Sequence, residues 1–440
     1  MDASCLTGQL LQITLDRSKA FRSELERVAQ RQYPPTGPKK LVDLTTSINS
    51  RIARDLSAAL SGSRFPQSPD RRVEIFLRGK SSLLNFLHLL LQCLEGAEIQ
   101  TSPGTFIVPI RSMLERHLGG RAAGEFDFIV RSSRAYNYMI WTVHGQLRRL
   151  LVEAGYGRLA AIIPPLFFVI ECPISEKRNV PIHCVFAHEI GHAYYETSEL
   201  PTILLPRVSR TRDPINTKIV ISNWIEELCA DAIALCLLGP AYVYAFIYFS
   251  GPFCAMSEAS ETHPPDNVRI ELLCRMLLTK KSQGGLSFGN ALESSNIDYL
   301  KQWQQYAETS LDVARLGAIY SRLSGRVRSS FSLLMKETSN LMAGRTYTPF
   351  KYKTDMPGLL DNIENGVPPN EIITDFVKGS CKTSGPESIL NAGWDYLIKG
   401  NTGYHELLGK EDKWGTTNRL FDLVSKGLEY AEIKRRWSKT

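Results

Sequence analysis

The pentapeptide His188-Glu189-Ile190-Gly191-His192 carries the residue types of a metal site that hydrolyses bonds. Two histidines four residues apart lie on one face of a helix, one turn from each other. That spacing lets both imidazoles bind one tetrahedral metal ion. The glutamate between them lies beside the position where hydrolysis needs a general base. The alternative stays open at this point: two histidines on an ordinary amphipathic helix that have hydrogen-bond partners and bind no metal.

A second segment supplies a candidate third ligand. Glu227 and Asp231 are four residues apart in a helix that the apolar spacing predicts over 218–238. Carboxylates bordered by apolar residues are costly to bury unless they are paired or bind a metal. Glu227 is therefore the candidate ligand, and Asp231 the candidate partner that holds a ligand imidazole. The adjacent Glu226 is predicted to face solvent and remains the alternative ligand.

A third segment, Thr262-His263-Pro264-Pro265, precedes a helix that continues to about residue 280. Arg269 lies near the first turns of that helix. A Pro-Pro turn followed by a helix start can aim His263 and Arg269 at one point. The plain alternative is a histidine that caps the helix and an arginine on the surface.

Composition bounds the class of protein. A length of 440 residues predicts two or three domains, and 43% hydrophobic with 22% charged residues is typical of a globular protein. The net charge of +7 is mild for this size, so an acidic partner is allowed but a nucleic acid is not indicated. Nine cysteines without a C-x-x-C motif predict reduced, buried thiols and a cytoplasmic location.

Two features bear on membranes. The first sixteen residues contain no Lys or Arg and no long apolar block, so no signal peptide is predicted. The segment 232–250 carries no charge, but Gly239-Pro240 interrupts it. Two buried helices joined by a turn are therefore predicted rather than a membrane span. The alternative is a membrane-associated protein that uses this segment as an anchor.

The elements around these segments are predicted to be mostly helical. The segment 159–172 differs, because Leu166–Ile170 is a β-rich apolar run. It predicts a strand at the edge of a small sheet, where an extended peptide can pair with it; a buried strand without a ligand role is the alternative. A loop is predicted over 196–217 and a linker over 282–295. Further helices are predicted over 10–30, 41–60, 82–94, 106–118, 135–154, 298–306, 311–342, 371–378 and 418–437.

The three motif segments together resemble gluzincin metallopeptidases, the class that includes thermolysin. The specific resemblance is to the branch with the type I CAAX prenyl proteases and the bacterial heat-shock membrane protease. In that branch the histidine helix is followed by Glu-x-x-Ala-Asp, matched here by residues 227–231. A Thr/Ser-His-Pro segment then leads into a helix with an arginine, matched by residues 262–265 and Arg269. The resemblance covers residues 165–275. Those relatives are membrane-embedded, whereas this chain lacks their spans and looks more like the soluble bacterial members of the group.

The resemblance implies a zinc-dependent intracellular peptidase that acts on a peptide or protein substrate, without nucleic acid or stable membrane insertion. It implies a mainly α (α+β) fold. A zincin-type catalytic core over 159–281 would contain a small sheet with the predicted edge strand, and helical regions at 1–158 and 282–440 would flank this core. A regulatory partner, or a catalytically silent regulatory zinc protein, is left open. The resemblance implies that His188, His192 and Glu227 bind Zn²⁺. It implies that Glu189 is the general base that takes a proton from the attacking, zinc-bound water. It further implies that Asp231 orients a ligand histidine and that His263 and Arg269 contact the oxyanion.

Overall fold

The structure is a computed structural model. It describes residues 3–33, 37–61, 70–97, 104–117, 126–135, 137–163, 166–210, 212–251, 259–279, 287–310, 313–375, 380–402 and 413–437. The chain forms two compact units, one of Met1–Gly104 with Arg121–Lys177 and one of Thr105–Gly120 with Arg178–Thr440.

The described residues are mainly helical, as the sequence predicts. The helices are α1 Ala3–Ala29, α2 Pro38–Leu60, α3 Asp70–Glu95, α4 Gly104–His117, α5 His144–Glu153, α6 Gly157–Ala160, α7 Phe186–Thr197, α8 Leu200–Val208, α9 Ile215–Leu238, α10 Pro240–Ser250, α11 Asp266–Leu278, α12 Ser294–Thr309, α13 Val313–Leu341, α14 Pro349–Glu364, α15 Pro386–Thr402 and α16 Lys413–Trp437. The strands are β1 Phe126–Ser133, β2 Met139–Thr142, β3 Leu166–Pro173, β4 Glu371–Asp375 and β5 Ser380–Thr383.

The first unit packs the long amphipathic helices α1, α2 and α3 together and adds a three-stranded sheet. The sheet order is β1-β3-β2, with β3 parallel to β1 and antiparallel to β2. The predicted strand is therefore present as β3, but its predicted position at a sheet edge is wrong. Phe168, Val169 and Ile170 of this strand are almost fully buried. A continuous apolar run is typical of a strand that is buried on both faces of its sheet.

The second unit contains all three motif segments. Its α10 and the part of α9 after Asp231 carry no charge and are almost entirely buried, and the two helices are joined at Gly239, whose φ of 63° ends the first helix. Pro240 then starts the next helix, where its missing N–H costs nothing. The predicted pair of buried helices is thus confirmed. No helix among the described residues is long and apolar enough to cross a membrane.

Several predicted elements are wrong outside the motif segments. The segment predicted as a helix over 135–154 holds strand β2 before α5, because β3 offers Met139–Thr142 a pairing partner that local periodicity cannot reveal. Helix α8 occupies the predicted loop at 196–217, and β4 replaces the helix predicted at 371–378. Helices α14 and α15 occupy segments whose Gly, Pro and Asn content predicts loops.

The first unit includes the strand that precedes the motif segments. Residues 159–177 fall with the N-terminal unit, because β3 pairs with β1 and β2. The predicted three-part division by function stays a prediction.

Seven cysteines have described side chains; none of them forms a disulfide, and all except Cys381 are buried.

Candidate metal centre

Helix α7 presents both histidines of the pentapeptide on one face. A 3₁₀ helix at Val180–Val185 leads into α7, which begins at Phe186. The imidazoles of His188 and His192 are nearly perpendicular, with their ring centroids 4.7 Å apart. Their Nε2 atoms lie 3.1 Å from each other. His188 is buried and His192 is partly exposed, so the pair lies at the inner end of an accessible site.

Helix α9 packs against α7 and places Glu227 beside the two rings. Glu227 Oε2 lies 3.2 Å from His188 Nε2, and Glu227 Oε1 lies 3.5 Å from His192 Nε2. Ligand atoms about 2.0–2.1 Å from a tetrahedral zinc ion are roughly 3.3 Å from one another. The Nε2–Nε2 separation is close to this value, and each ring has one oxygen of the Glu227 carboxylate at a similar distance. His188, His192 and Glu227 therefore form a group that could hold a metal ion.

The second nitrogen of each ring shows which tautomer is present. His188 Nδ1 lies 2.9 Å from Asp231 Oδ1, and His192 Nδ1 lies 3.0 Å from Glu226 Oε1. A carboxylate at these distances accepts hydrogen bonds only, so each Nδ1 must carry a proton. In the neutral form of each ring, which is the form that binds a metal, the lone pair would then lie on Nε2. Two lone pairs and a carboxylate thus converge on one point, which is the arrangement a cation requires.

Glu227 shows the same preference for a cation. Its Oε2 is fully buried, and no described residue donates a hydrogen bond of normal geometry to it. A buried carboxylate oxygen without a donor is costly. Burial raises the pKa of Glu227, but the neighbouring His188 and Arg269 lower it to about 2, so the carboxylate is ionised. Since metal ligation satisfies such an oxygen, the residues present fit a bound metal ion.

Asp231 is the centre of a second, deeper network. Arg269 donates to both of its oxygens, from Nε at 2.9 Å and from Nη2 at 2.7 Å. Tyr242 donates from its hydroxyl to Oδ1 at 2.5 Å. All three side chains are buried, and the Arg269 guanidinium lies 4.4 Å from the centre of the Phe246 ring. Asp231 is therefore fixed by these contacts, and by accepting a hydrogen bond from His188 Nδ1 it holds that ring in one orientation.

The electrostatics of this network favour positive charge at the histidine pair. Burial and the Arg269 charge lower the pKa of His188, but Asp231 and Glu227 together raise it to about 10. Burial raises the pKa of Asp231, whereas Arg269 and His188 lower it well below its usual range. The buried carboxylates thus stabilise a cation at the point where the two rings meet.

The structure brings together the predicted ligands and their predicted partner Asp231. Glu189 lies half-buried on α7 between the two histidines. His263 is 58% exposed and its Nε2 lies 3.3 Å from Glu227 Oε1, so it lies at the open side of the group. Arg269 instead lies on the buried side, where Nη1 is 3.4 Å from Glu227 Oε2. The predicted oxyanion role of both residues stays a prediction.

Sequence analysis missed two contributors. Glu226 is predicted to face solvent, but it is two-thirds buried and bonds His192. The adjacent pair Glu226-Glu227 is the sequence feature that could have indicated this contact, because both carboxylates reach the same imidazole of His192. Tyr242 follows Asp231 by eleven positions on the next helix, and only the turn at Gly239 brings it back to that carboxylate.

No known protein family, no curated protein and no solved structure matches this chain. The site is therefore interpreted from its own geometry and from the motif resemblance.

Proposed function

We propose that this protein is a zinc-dependent peptidase whose site is built on α7, α9 and α11. The observation that carries the proposal is the convergence of His188 Nε2, His192 Nε2 and Glu227 on one point, with a carboxylate behind each imidazole. Three protein ligands leave one position of a tetrahedral ion open, which is typical of catalytic rather than structural zinc.

The donor set supports zinc as the metal. Two imidazoles and one carboxylate suit Zn²⁺, and the same set in another geometry suits non-haem Fe²⁺. The two Nε2 atoms lie 3.1 Å apart and each lies 3.2–3.5 Å from one Glu227 oxygen, distances that are compatible with a bound zinc ion. When bound, zinc supplies a Lewis acid and lowers the pKa of water toward about 7.

The chain's own residues would carry the proton transfers. Glu189 lies between the ligand histidines and is the group we assign as general base. It takes a proton from the attacking water and delivers it to the leaving amine. His263 lies on the exposed side of Glu227 and would donate to the oxygen of the carbonyl under attack. Asp231 and Glu226 hold the rings of His188 and His192.

A glutamine at position 189 tests the proposal. Glu189→Gln keeps size and polarity but removes the base, so it should keep zinc and fold while losing turnover by orders of magnitude. Glu196→Gln, an exposed position on the same helix, is the matched control and should keep wild-type turnover. The readouts are elemental analysis and cleavage of a mixed peptide library.

Three results would overturn the proposal. Full zinc content in both His188→Ala and Glu227→Ala would remove the site assignment. If zinc-loaded wild-type protein cleaves no peptide, the alternative of a catalytically silent regulatory zinc protein, whose metal serves a partner, is supported instead. Stoichiometric iron instead of zinc would point to a different chemistry.

The predicted cytoplasmic location is checked separately by fractionation, where pelleting with carbonate-washed membranes would favour the membrane-associated alternative.

A further inference from the structure

The loop that carries His263 is held against α9 by two side chains. Trp224 Nε1 donates to the carbonyl of Ser260 at 2.9 Å, and Asn223 Nδ2 donates to the carbonyl of Glu261 at 3.0 Å. Both donors lie one turn before the metal-site glutamates. The His263 ring therefore has a defined position beside Glu227, although it is more than half exposed.

The hydroxyl of Ser260 has a fixed direction. Its Oγ accepts from the backbone N–H of His263 at 2.8 Å and of Thr262 at 3.3 Å. These two bonds use both lone pairs of a serine hydroxyl, so Ser260 has only its proton left to share. Thr262 Oγ1 lies 3.0 Å away and is the nearer acceptor, because the carbonyl of His263 lies 3.5 Å away. Ser260 therefore donates to Thr262.

The direction of the next bond follows. Thr262 Oγ1 accepts from Ser260, and its own proton points to His263 Nδ1 at 2.8 Å. An Nδ1 that accepts carries no proton, so the neutral ring must be protonated on Nε2. On the other side of the ring, Nε2 faces Glu227 Oε1 at 3.3 Å. The tautomer therefore follows from the hydroxyl chain on the Nδ1 side.

We propose that Ser260 and Thr262 are positioning residues that hold His263 in the tautomer with its proton on Nε2, aimed at the substrate carbonyl. The proposal rests on the proposed function, since the N–H gains a role only when a carbonyl lies beside Glu227. A prearranged N–H stabilises negative charge as it develops on that oxygen. The opposite tautomer would present a lone pair there and would repel it.

Thr262→Val removes the hydroxyl at nearly constant shape, and Thr262→Ser retains it. We expect the valine variant to keep its zinc and its KM while kcat falls about tenfold, the low end of the 10–100-fold typical of an outer hydrogen-bond partner. The serine variant should recover most of kcat. Thr309→Val is the control, because Thr309 is also exposed and its hydroxyl bonds only backbone carbonyls of its own helix. Wild-type kcat in Thr262→Val would overturn the proposal.

A second readout does not depend on turnover. Nitrogen-15 NMR of zinc-loaded, histidine-labelled protein reports which ring nitrogen is protonated, and the His263 signals are those that disappear in His263→Gln. A protonated Nε2 with an accepting Nδ1 supports the proposal, and a protonated Nδ1 overturns it. If the wild-type protein cleaves no peptide, the proposed function fails, whereas this spectrum still decides the direction of the hydroxyl chain.

Discussion

Gly191 packs against Ala230 so closely that a Cβ at position 191 would lie 2.6 Å from both the Cα and the carbonyl oxygen of Ala230. Helices α7 and α9 therefore approach at a distance that only glycine allows at this crossing. Gly191 precedes His192 by one residue, and Ala230 lies one turn after Glu227. The spacing between the histidines and the third ligand is thus set by this backbone contact.

Gly191→Ala should consequently damage the metal site as well as the packing. Because the clash is with backbone, the helices must move apart, and overpacking of this kind costs roughly 1–3 kcal/mol. We expect zinc affinity to fall together with the free energy of unfolding. Gly325→Ala is the control, since a Cβ there meets nothing within 4 Å and alanine in a helix interior is more favourable by about 1 kcal/mol. Unchanged zinc affinity in Gly191→Ala would show that the crossing does not position Glu227.

Glu226 gives a prediction that separates ring orientation from ligation. Its Oε1 lies 3.0 Å from His192 Nδ1, and His192 is the more exposed of the two histidines. Glu226→Ala should therefore weaken zinc binding about 10–100-fold without abolishing it. Glu226→Gln keeps an accepting oxygen and should lose less. Competition with a fluorescent zinc chelator measures both, and Glu196→Ala on α7 is the exposed control. Complete loss of zinc in Glu226→Ala would instead make Glu226 a ligand.

The sequence predicts those parts of the site that depend on one helix at a time. Residues His188 and His192 share a helix face, as do Glu227 and Asp231, because helical spacing is local. The contact of Glu226 with His192 could not be predicted, since it depends on how α7 crosses α9. The turn that returns Tyr242 to Asp231 is likewise non-local.

The errors in the fold have the same origin, with one exception. Strand β3 is central because β1 and β2 pair with it from distant segments, and no local pattern of residues 159–172 reveals that. Helix α14, in contrast, has a local start signal in its sequence. Thr348 accepts from the N–H of Lys351 at 3.2 Å, and Pro349 occupies the first helical position. Both are known start signals of a helix.

Arg269 is expected to matter first for stability. Its guanidinium makes two hydrogen bonds to Asp231, and both side chains are buried. Arg269→Met leaves the Asp231 charge buried without its cation, and breaking a buried pair in this way costs about 3–5 kcal/mol. Lysine should not rescue it, because an ammonium group cannot reproduce the two-pronged contact. Urea unfolding and zinc analysis of Arg269→Met and Arg269→Lys measure this. Wild-type stability combined with a lowered kcat would instead support the predicted oxyanion role.

Asp395 on α15 gives the second unit a pH-dependent stability. Its carboxylate is 2% exposed and accepts from Asn296 Nδ2 at 2.8 Å and from the Tyr352 hydroxyl at 2.5 Å. Burial raises its pKa to about 7, against the opposing effects of Tyr352, Asn296 and Lys399. Glu293 raises the pKa further. The folded protein therefore holds this proton well above the unfolded pKa of about 3.9.

The sign of the effect follows from proton binding. Between about pH 4 and pH 7 the folded state binds more protons at Asp395 than the unfolded state, so stability falls as the pH rises through this window. The contribution of this one group amounts to roughly 4 kcal/mol, at about 1.4 kcal/mol for each pKa unit.

Asp395→Asn keeps the shape and cannot ionise, so its free energy of unfolding should decline less between pH 5 and pH 8 than that of the wild type. Asp361→Asn, at an exposed position on α14, is the control and should follow the wild-type curve. Both variants retain the metal site, so the pH dependence of metal binding cancels in the comparison. Urea unfolding at intervals across this range measures the difference, and parallel curves for wild type and Asp395→Asn would show that Asp395 ionises at the same pH in the folded and unfolded states.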